Sequence, residues 1–234
     1  MGISIHYTGQ IADKRKLPQL IEEVQEIALV NHWKYHIYET KFPDEAYETD
    51  VDGKHNGKLY GIDFTPQGSE PVSVCFLSNG VISSIMQMAC WGDNEIEHTF
   101  TTESITWDEN GNEVTSIENT IIDKDESYKM LCSCFTKTQY AGPATHELII
   151  GVLRYVAKTY LTDFKLSDES QFWETGDREL MIRNFKRTGF LIDSFGATLN
   201  NESQFPDEDI ESFIKRIANR IQKKNFDSAD DIHQ

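Results

Sequence analysis

Residues 3–37 and 132–166 carry one apolar pattern at a single constant offset, and this repetition constrains the fold more than any other feature of the chain. Ile3 falls on Cys132 and Ile5 on Cys134. Leu20 then falls on Ile149, Ile21 on Ile150, Val24 on Leu153, Ile27 on Val156 and Ala28 on Ala157, and beyond them Tyr35 falls on Phe164 and Ile37 on Leu166. The offset needs no gap, so the match reads as one supersecondary unit used twice.

The unit is strand, loop, helix, strand. Ile3, Ile5 and Tyr7 alternate with polar neighbours, as a half-buried strand does. Leu17, Leu20, Ile21, Val24, Ile27 and Ala28 recur at three- and four-residue steps and give a helix one apolar face. Pro18 suits the first turn of that helix, where its missing N–H costs nothing. Trp33, Tyr35 and Ile37 return to period two. In the second copy Leu148, Ile149, Val152, Leu153 and Val156 predict a more apolar helix. The alignment also puts Cys132 and Cys134 on the core face of a strand, as packed thiols rather than a metal or nucleophile pair. His146 stands where the first copy has Leu17, at the helix entrance.

Between the units, 59–65, 71–77 and 81–88 read as a β-meander, with Asn79-Gly80 as its hairpin signal. Two further strands are predicted over 95–107 and 113–123, turning at Asn110-Gly111. Downstream, 177–190 reads as a helix closed by Gly189. A last helix over 206–224 starts at Pro206, with acids early and bases late, the order that complements the helix dipole. The expected fold is therefore α+β: two related strand-helix-strand units (about 1–40 and 130–168) are joined by an antiparallel β-meander, and C-terminal helices pack on the sheet. One domain would cover 1–225, with 1–90 and 91–225 as candidate halves, and 226–234 would be a flexible acidic tail.

The net charge of −17 narrows function. It repels a phosphate backbone and an anionic lipid surface, so neither nucleic acid by phosphate contact nor membrane is an expected partner. No apolar run approaches the roughly 18 to 20 residues that span a bilayer. No basic region followed by an apolar stretch opens the chain, and His6 stands where a myristoylation signal needs Ser or Thr. A cytoplasmic location is expected, with the four cysteines as free thiols.

The charge is concentrated. Eleven acids lie between Asp93 and Glu126 against a single base, Lys124, a net of −10 within the total of −17. This predicts an acidic β-strand surface, with Glu95, Glu97, Glu103, Asp108 and Glu109 as the candidate residues that meet a basic protein partner. The plainer alternative is a solvated sheet edge that uses charge to prevent aggregation. Calcium is not expected: around Asp108, Asn110 and Asn112, Gly111 comes fourth rather than sixth and Asn119 replaces the terminal Glu of an EF-hand loop. His32 and His36 are four apart, yet the alternation of Trp33, Tyr35 and Ile37 puts them on a strand, too far apart to share zinc. Glu95, Glu97 and His98 would form a metal site only if alternation did not send His98 to the opposite face. Lys14-Arg15-Lys16 reads as a solvated turn with some anion-holding potential.

No nucleophile elbow, P-loop, dinucleotide fingerprint or H-E-x-x-H pattern occurs. The expectation is a non-enzymatic cytosolic binding protein, with no cofactor and no metal. The alternative is a small-molecule or divalent-metal-dependent enzyme, with a site in the cleft between the two repeat halves formed by His6, Tyr7, Trp91 and His146.

Overall fold

A computed structural model of the chain describes residues 2–43, 55–92, 98–107 and 113–201, together with Phe205, Asp209, Ser212, Phe213 and 215–217. Its first strand, β1 (Ser4–Ile11), is the centre of a three-stranded sheet. Ile5, Tyr7 and Ile11 are buried and His6 and Gln10 exposed, as the alternation requires. β8 (Cys134–Lys137) and β9 (Leu161–Asp168) flank β1, both antiparallel to it. They therefore run parallel to each other with β1 slotted between, and α4 (Gly142–Tyr160) makes the crossover of a split β-α-β arrangement. Its Ile149, Ile150, Val152, Leu153, Val156 and Tyr160 are buried. Opposite Gly9, β9 has one residue too many for the register, and Asp163 absorbs the bulge at a φ of 51°.

The second sheet is antiparallel in the order β2 (Lys34–Ile37), β3 (Tyr60–Thr65), β4 (Val72–Phe76), β5 (Ile82–Ser83). α1 (Leu17–Val30) packs on β3. Its buried Leu17, Leu20, Ile21, Val24 and Ala28 join Ile62, Phe64, Val72, Val74 and Phe76 in the main core, to which both sheets contribute. Trp33, just past the helix, stacks on Phe64 with ring centroids 5.3 Å apart. The opposite face of the sheet is covered as well. Leu59, Cys75 and Leu77 pack with Leu131 of α3 (Lys124–Leu131) in a smaller second core edged by Tyr38, Met88 and Trp91. β4 is thus buried along its whole length, which is why VSVCF lacks alternation. The two sheets meet at the end of β1, where Gln10 bridges Val81 and the Ile11 amide donates to the Gly80 carbonyl at 2.9 Å.

α2 (Ile85–Trp91) packs against α3. The segment between them is an antiparallel ribbon, β6 (His98–Trp107) and β7 (Glu113–Ile122). A short helix, α5 (Phe172–Thr175), follows β9, and α6 (Arg178–Asn201) lies against α4 and α5, with Met181 and Phe185 in the main core.

Strand, helix and strand occur in both segments of the expected repeat. They are used differently: β9 returns beside β1, whereas β2 joins the other sheet. Three expectations need correction. The third meander strand ends at Ser83, because the Ser84 hydroxyl accepts the Gln87 amide and starts a helix through Met86, Gln87, Met88 and Ala89. Gly189 does not end its helix, which runs on to Asn201; a glycine stops a helix only where the chain turns left-handed, and Gly189 keeps a negative φ. Cys132 is the C-terminal cap of α3 and only half-buried, so Cys134 alone occupies the core face of the strand. Of the last predicted helix, Ser212, Phe213 and 215–217 are helical, with Asp209 capping the Ser212 amide at 2.8 Å. Pro206 and 226–234 lie outside the described residues.

Two glycines separate backbone strain from helix propensity. Gly61 in β3 sits at a φ of +133°, and a Cβ there would run into the Val74 carbonyl. Gly61→Ala is expected to lower stability by about 1–3 kcal/mol from strain alone. Exposed Gly151 in α4 has open space, so Gly151→Ala is expected to raise stability by up to about 1 kcal/mol. Equilibrium urea unfolding of both variants reads the two signs.

Candidate functional site

The acidic window falls on the β6–β7 ribbon and its flanks. The two strands pair over ten unbroken positions, Glu103 opposite Ile117, Thr102 opposite Glu118 and Trp107 opposite Glu113. At about 3.4 Å per residue the ribbon is about 34 Å long. Among the described residues no other element makes extended contact with it, and Ile117 stands 64% exposed. Glu103 is therefore placed on the ribbon, while Glu95, Glu97, Asp108 and Glu109 lie outside the described residues.

The root of the ribbon is firmly held. The Ser83 hydroxyl donates to the Leu131 carbonyl at 2.7 Å and the Gln87 amide group to the Ser133 carbonyl at 2.7 Å. Asn79 donates to the Tyr128 hydroxyl at 2.7 Å, and the Asp123 carboxylate caps α3 by accepting the Glu126 amide at 2.8 Å. These bonds tie α2, α3 and the β4–β5 turn into one platform. Beside it lies an open groove of about 450 Å³ lined by Tyr38, Glu39, Gly57, Lys58, Leu59, Ile85 and Met88. Its charged groups are mutually satisfied: Lys58 Nζ lies 3.1 Å from Glu39 Oε1, and the Tyr38 hydroxyl donates to Asp63 Oδ2 at 2.8 Å.

A second cluster is chemically richer and closed. His146, in the first turns of α4, is fully buried with both ring nitrogens engaged. Nδ1 lies 2.7 Å from Thr138 Oγ1, and Nε2 lies 3.2 Å from Asp168 Oδ2 and 2.9 Å from Ser170 Oγ. The Ser170 hydroxyl donates to Asp168 Oδ2 at 2.7 Å, which leaves its oxygen to accept from Nε2–H. Asp168 Oδ2 also receives the Phe172 and Trp173 amides, each at 3.0 Å, and Oδ1 receives the Ser170 amide at 2.8 Å. Burial alone would raise the Asp168 carboxyl. Hydrogen bonds from His146 and Ser170 and the charge of His146 outweigh it and hold the group below its ordinary value.

Serine, histidine and aspartate together invite comparison with a catalytic triad. In a triad the nucleophile and the orienting carboxylate sit on opposite ring nitrogens. Here Ser170 and Asp168 share Nε2, and the serine proton is committed to the carboxylate. Thr138, Asp168 and Ser170 are buried like the histidine. The cluster is a lock between elements, not a reaction centre.

The four residues of the expected cleft do not gather. His6 is on the exposed face of β1, where its ring lies 6.2 Å from that of Phe135. Tyr7 points into the main core and its hydroxyl donates to the Ser73 carbonyl at 2.9 Å; burial pushes that hydroxyl far above its ordinary value. Trp91 edges the second core, and His146 is sealed by its own partners. Lys14-Arg15-Lys16 forms a single 3-10 turn whose Arg15 is spent on Asp13 at 2.9 Å, while Lys14 sits over the Phe42 ring. His32 lies in the turn after α1, and His36 meets the edge of Tyr38 at 4.6 Å. Among the described residues no group of three or more His, Cys, Asp or Glu is placed to hold a metal ion, and no helix is long and apolar enough to cross a membrane. Sequence reasoning found His146 and missed Thr138, Asp168 and Ser170. Comparison with protein-family models, with curated proteins and with solved structures returns no match.

Removing one partner of a buried, hydrogen-bonded charge costs about 3–5 kcal/mol, so Asp168→Asn is expected to lose that much stability near pH 7. The folded carboxyl titrates below its unfolded value of about 3.9. Its contribution is thus complete above that pH and disappears as pH falls through the folded value. Urea unfolding across that range should show a steeper acid loss for the native chain than for Asp168→Asn; parallel curves would refute the assignment.

Proposed function

We propose that the chain is a non-enzymatic cytosolic binding protein whose acidic β6–β7 ribbon meets a basic protein partner. The observation that carries this reading is the ribbon itself: a pair of ten-residue strands, in the most acidic stretch of the chain, held at its root and in extended contact with no other described element. A two-stranded ribbon is marginally stable by itself, so a long one standing clear of the core calls for a role outside the core. Its charge favours encounter with a cationic surface and repels nucleic acid. Against the enzyme alternative stands the dispersal of His6, Tyr7, Trp91 and His146, with His6 on an exposed sheet face, Tyr7 in the main core, Trp91 at the edge of the second core and His146 sealed among its own partners.

The test compares two triple variants for affinity to a lysine-rich polypeptide. Glu95→Gln, Glu97→Gln and Glu103→Gln together remove three negative charges from the ribbon region. Glu22→Gln, Glu26→Gln and Glu179→Gln together remove the same charge from exposed helix positions. The ribbon variant is expected to lose about tenfold in affinity, about 1.4 kcal/mol, and the control far less. Binding by the native chain should weaken steeply between about 50 and 200 mM salt. Equal losses from both variants would show a diffuse charge effect and overturn the docking face.

A further inference from the structure

The ribbon differs from every other strand pair in the condition of its edges. β6 and β7 pair only with each other, so each leaves an outer edge on which, among the described residues, no strand lies. Elsewhere the fold shortens, bends or closes its edges. The outer edge of β8 is covered by Glu70, whose amide donates to the Lys137 carbonyl at 3.0 Å and whose carboxylate accepts the Lys137 amide at 3.0 Å. β9 is bent by its bulge at Asp163, β5 is two residues long and continues into the Gln10–Val81 bridge, and β2 has four residues. A long unpaired edge is a row of unsatisfied N–H and C=O groups, and proteins normally blunt it.

Resting on the reading of the ribbon as a docking surface for a basic protein, we infer that the partner enters as an extended basic segment that adds a third strand to the ribbon edge. Main-chain hydrogen bonds supply the affinity of such an addition and alternate side chains its specificity. The acids select the occupant. Like charges directly opposite each other destabilise a sheet, so Glu103, Glu113 and Glu118 disfavour a second copy of this ribbon and favour a segment with Lys or Arg at alternate positions. Exposed Ile117 offers the apolar contact that the intervening side chains of such a segment would cover.

Strand addition makes a demand that charge attraction does not: only alternate backbone N–H groups of the incoming segment bond to the edge. The test uses a labelled peptide of alternating Lys and Val, about ten residues long to match the ribbon, and two analogues N-methylated at the odd or at the even backbone nitrogens. Each is titrated with the full chain and followed by fluorescence anisotropy. One methylated analogue is expected to bind at least about tenfold more weakly than the parent, and the other to stay within about threefold of it. Equal binding of all three would overturn strand addition and leave the basic docking face standing. If none binds while the lysine-rich polypeptide still does, strand addition falls and docking stands. If the polypeptide does not bind either, both fall.

Discussion

Burying the carboxylate of Asp168 is tolerable only because the fold surrounds it with donors, and the arrangement of the C-terminal half follows from that requirement. A charge removed from water without partners costs many kcal/mol, so the chain must deliver hydrogen bonds to it from several elements at once. α4 brings His146, the turn after β9 brings the Ser170 amide and hydroxyl, and the start of α5 brings the Phe172 and Trp173 amides. The network extends outward: Asn184 of α6 donates to the Ser170 carbonyl at 2.9 Å, and the Phe185 ring stands edge-on to His146 at 5.2 Å. On the other side Thr138 links the histidine to the end of β8 and donates its own amide to Ile3. One buried charge thereby fixes where α4, α5 and α6 meet the central strand β1.

The second sheet is organised by burial on both faces. α1 supplies one cover and the α2–α3 pair the other, so β4 has no solvent side. Each large aliphatic side chain buried in this way contributes about 1.5–3 kcal/mol. The smaller cover does more than exclude water, because the ribbon springs from it. A small core cross-tied by Ser83, Gln87, Asn79 and Asp123 gives the two strands a fixed origin without enclosing them.

Much of this was legible where one period dominates. β1, α1, β2, α4 and the two ribbon strands carry clean two- or 3.6-residue patterns, and Asn79-Gly80 does turn β4 into β5, with Gly80 at a φ of 92°. The misreadings come from segments that satisfy two patterns. VISSIMQMA follows the Asn79-Gly80 turn as an apolar run that reads as a strand, yet Ser84 caps a helix whose Met88 and Trp91 edge the second core, and tertiary need decided. Gly189 has the composition of a stop signal, but the packing of Met181 and Phe185 on α4 lets the helix outlast it. The candidate site was half legible. The concentration of acids is a linear property and marked the ribbon directly. The partners of His146 are not linear: Thr138 and Asp168 arrive from two strands separated by a whole helix, and only the fold brings them to the ring.

The two treatments of negative charge in one molecule bear on what the ribbon is for. Asp168 can be buried because donors inside the chain reach both of its carboxylate oxygens. The acidic window has Lys124 as its sole internal base, so most of its counter-charge lies outside the window. Like charges held on a ribbon are least costly when the ribbon stands away from the core, where water screens them over roughly a Debye length of 8 to 10 Å. In the proposed docking, the acids supply attraction to a basic segment and the strand edges of the ribbon supply directional hydrogen bonds. Attraction without directionality would collect any basic surface. Directionality without attraction would leave an edge prone to self-pairing. Together they are what the proposed docking of an extended, basic segment requires.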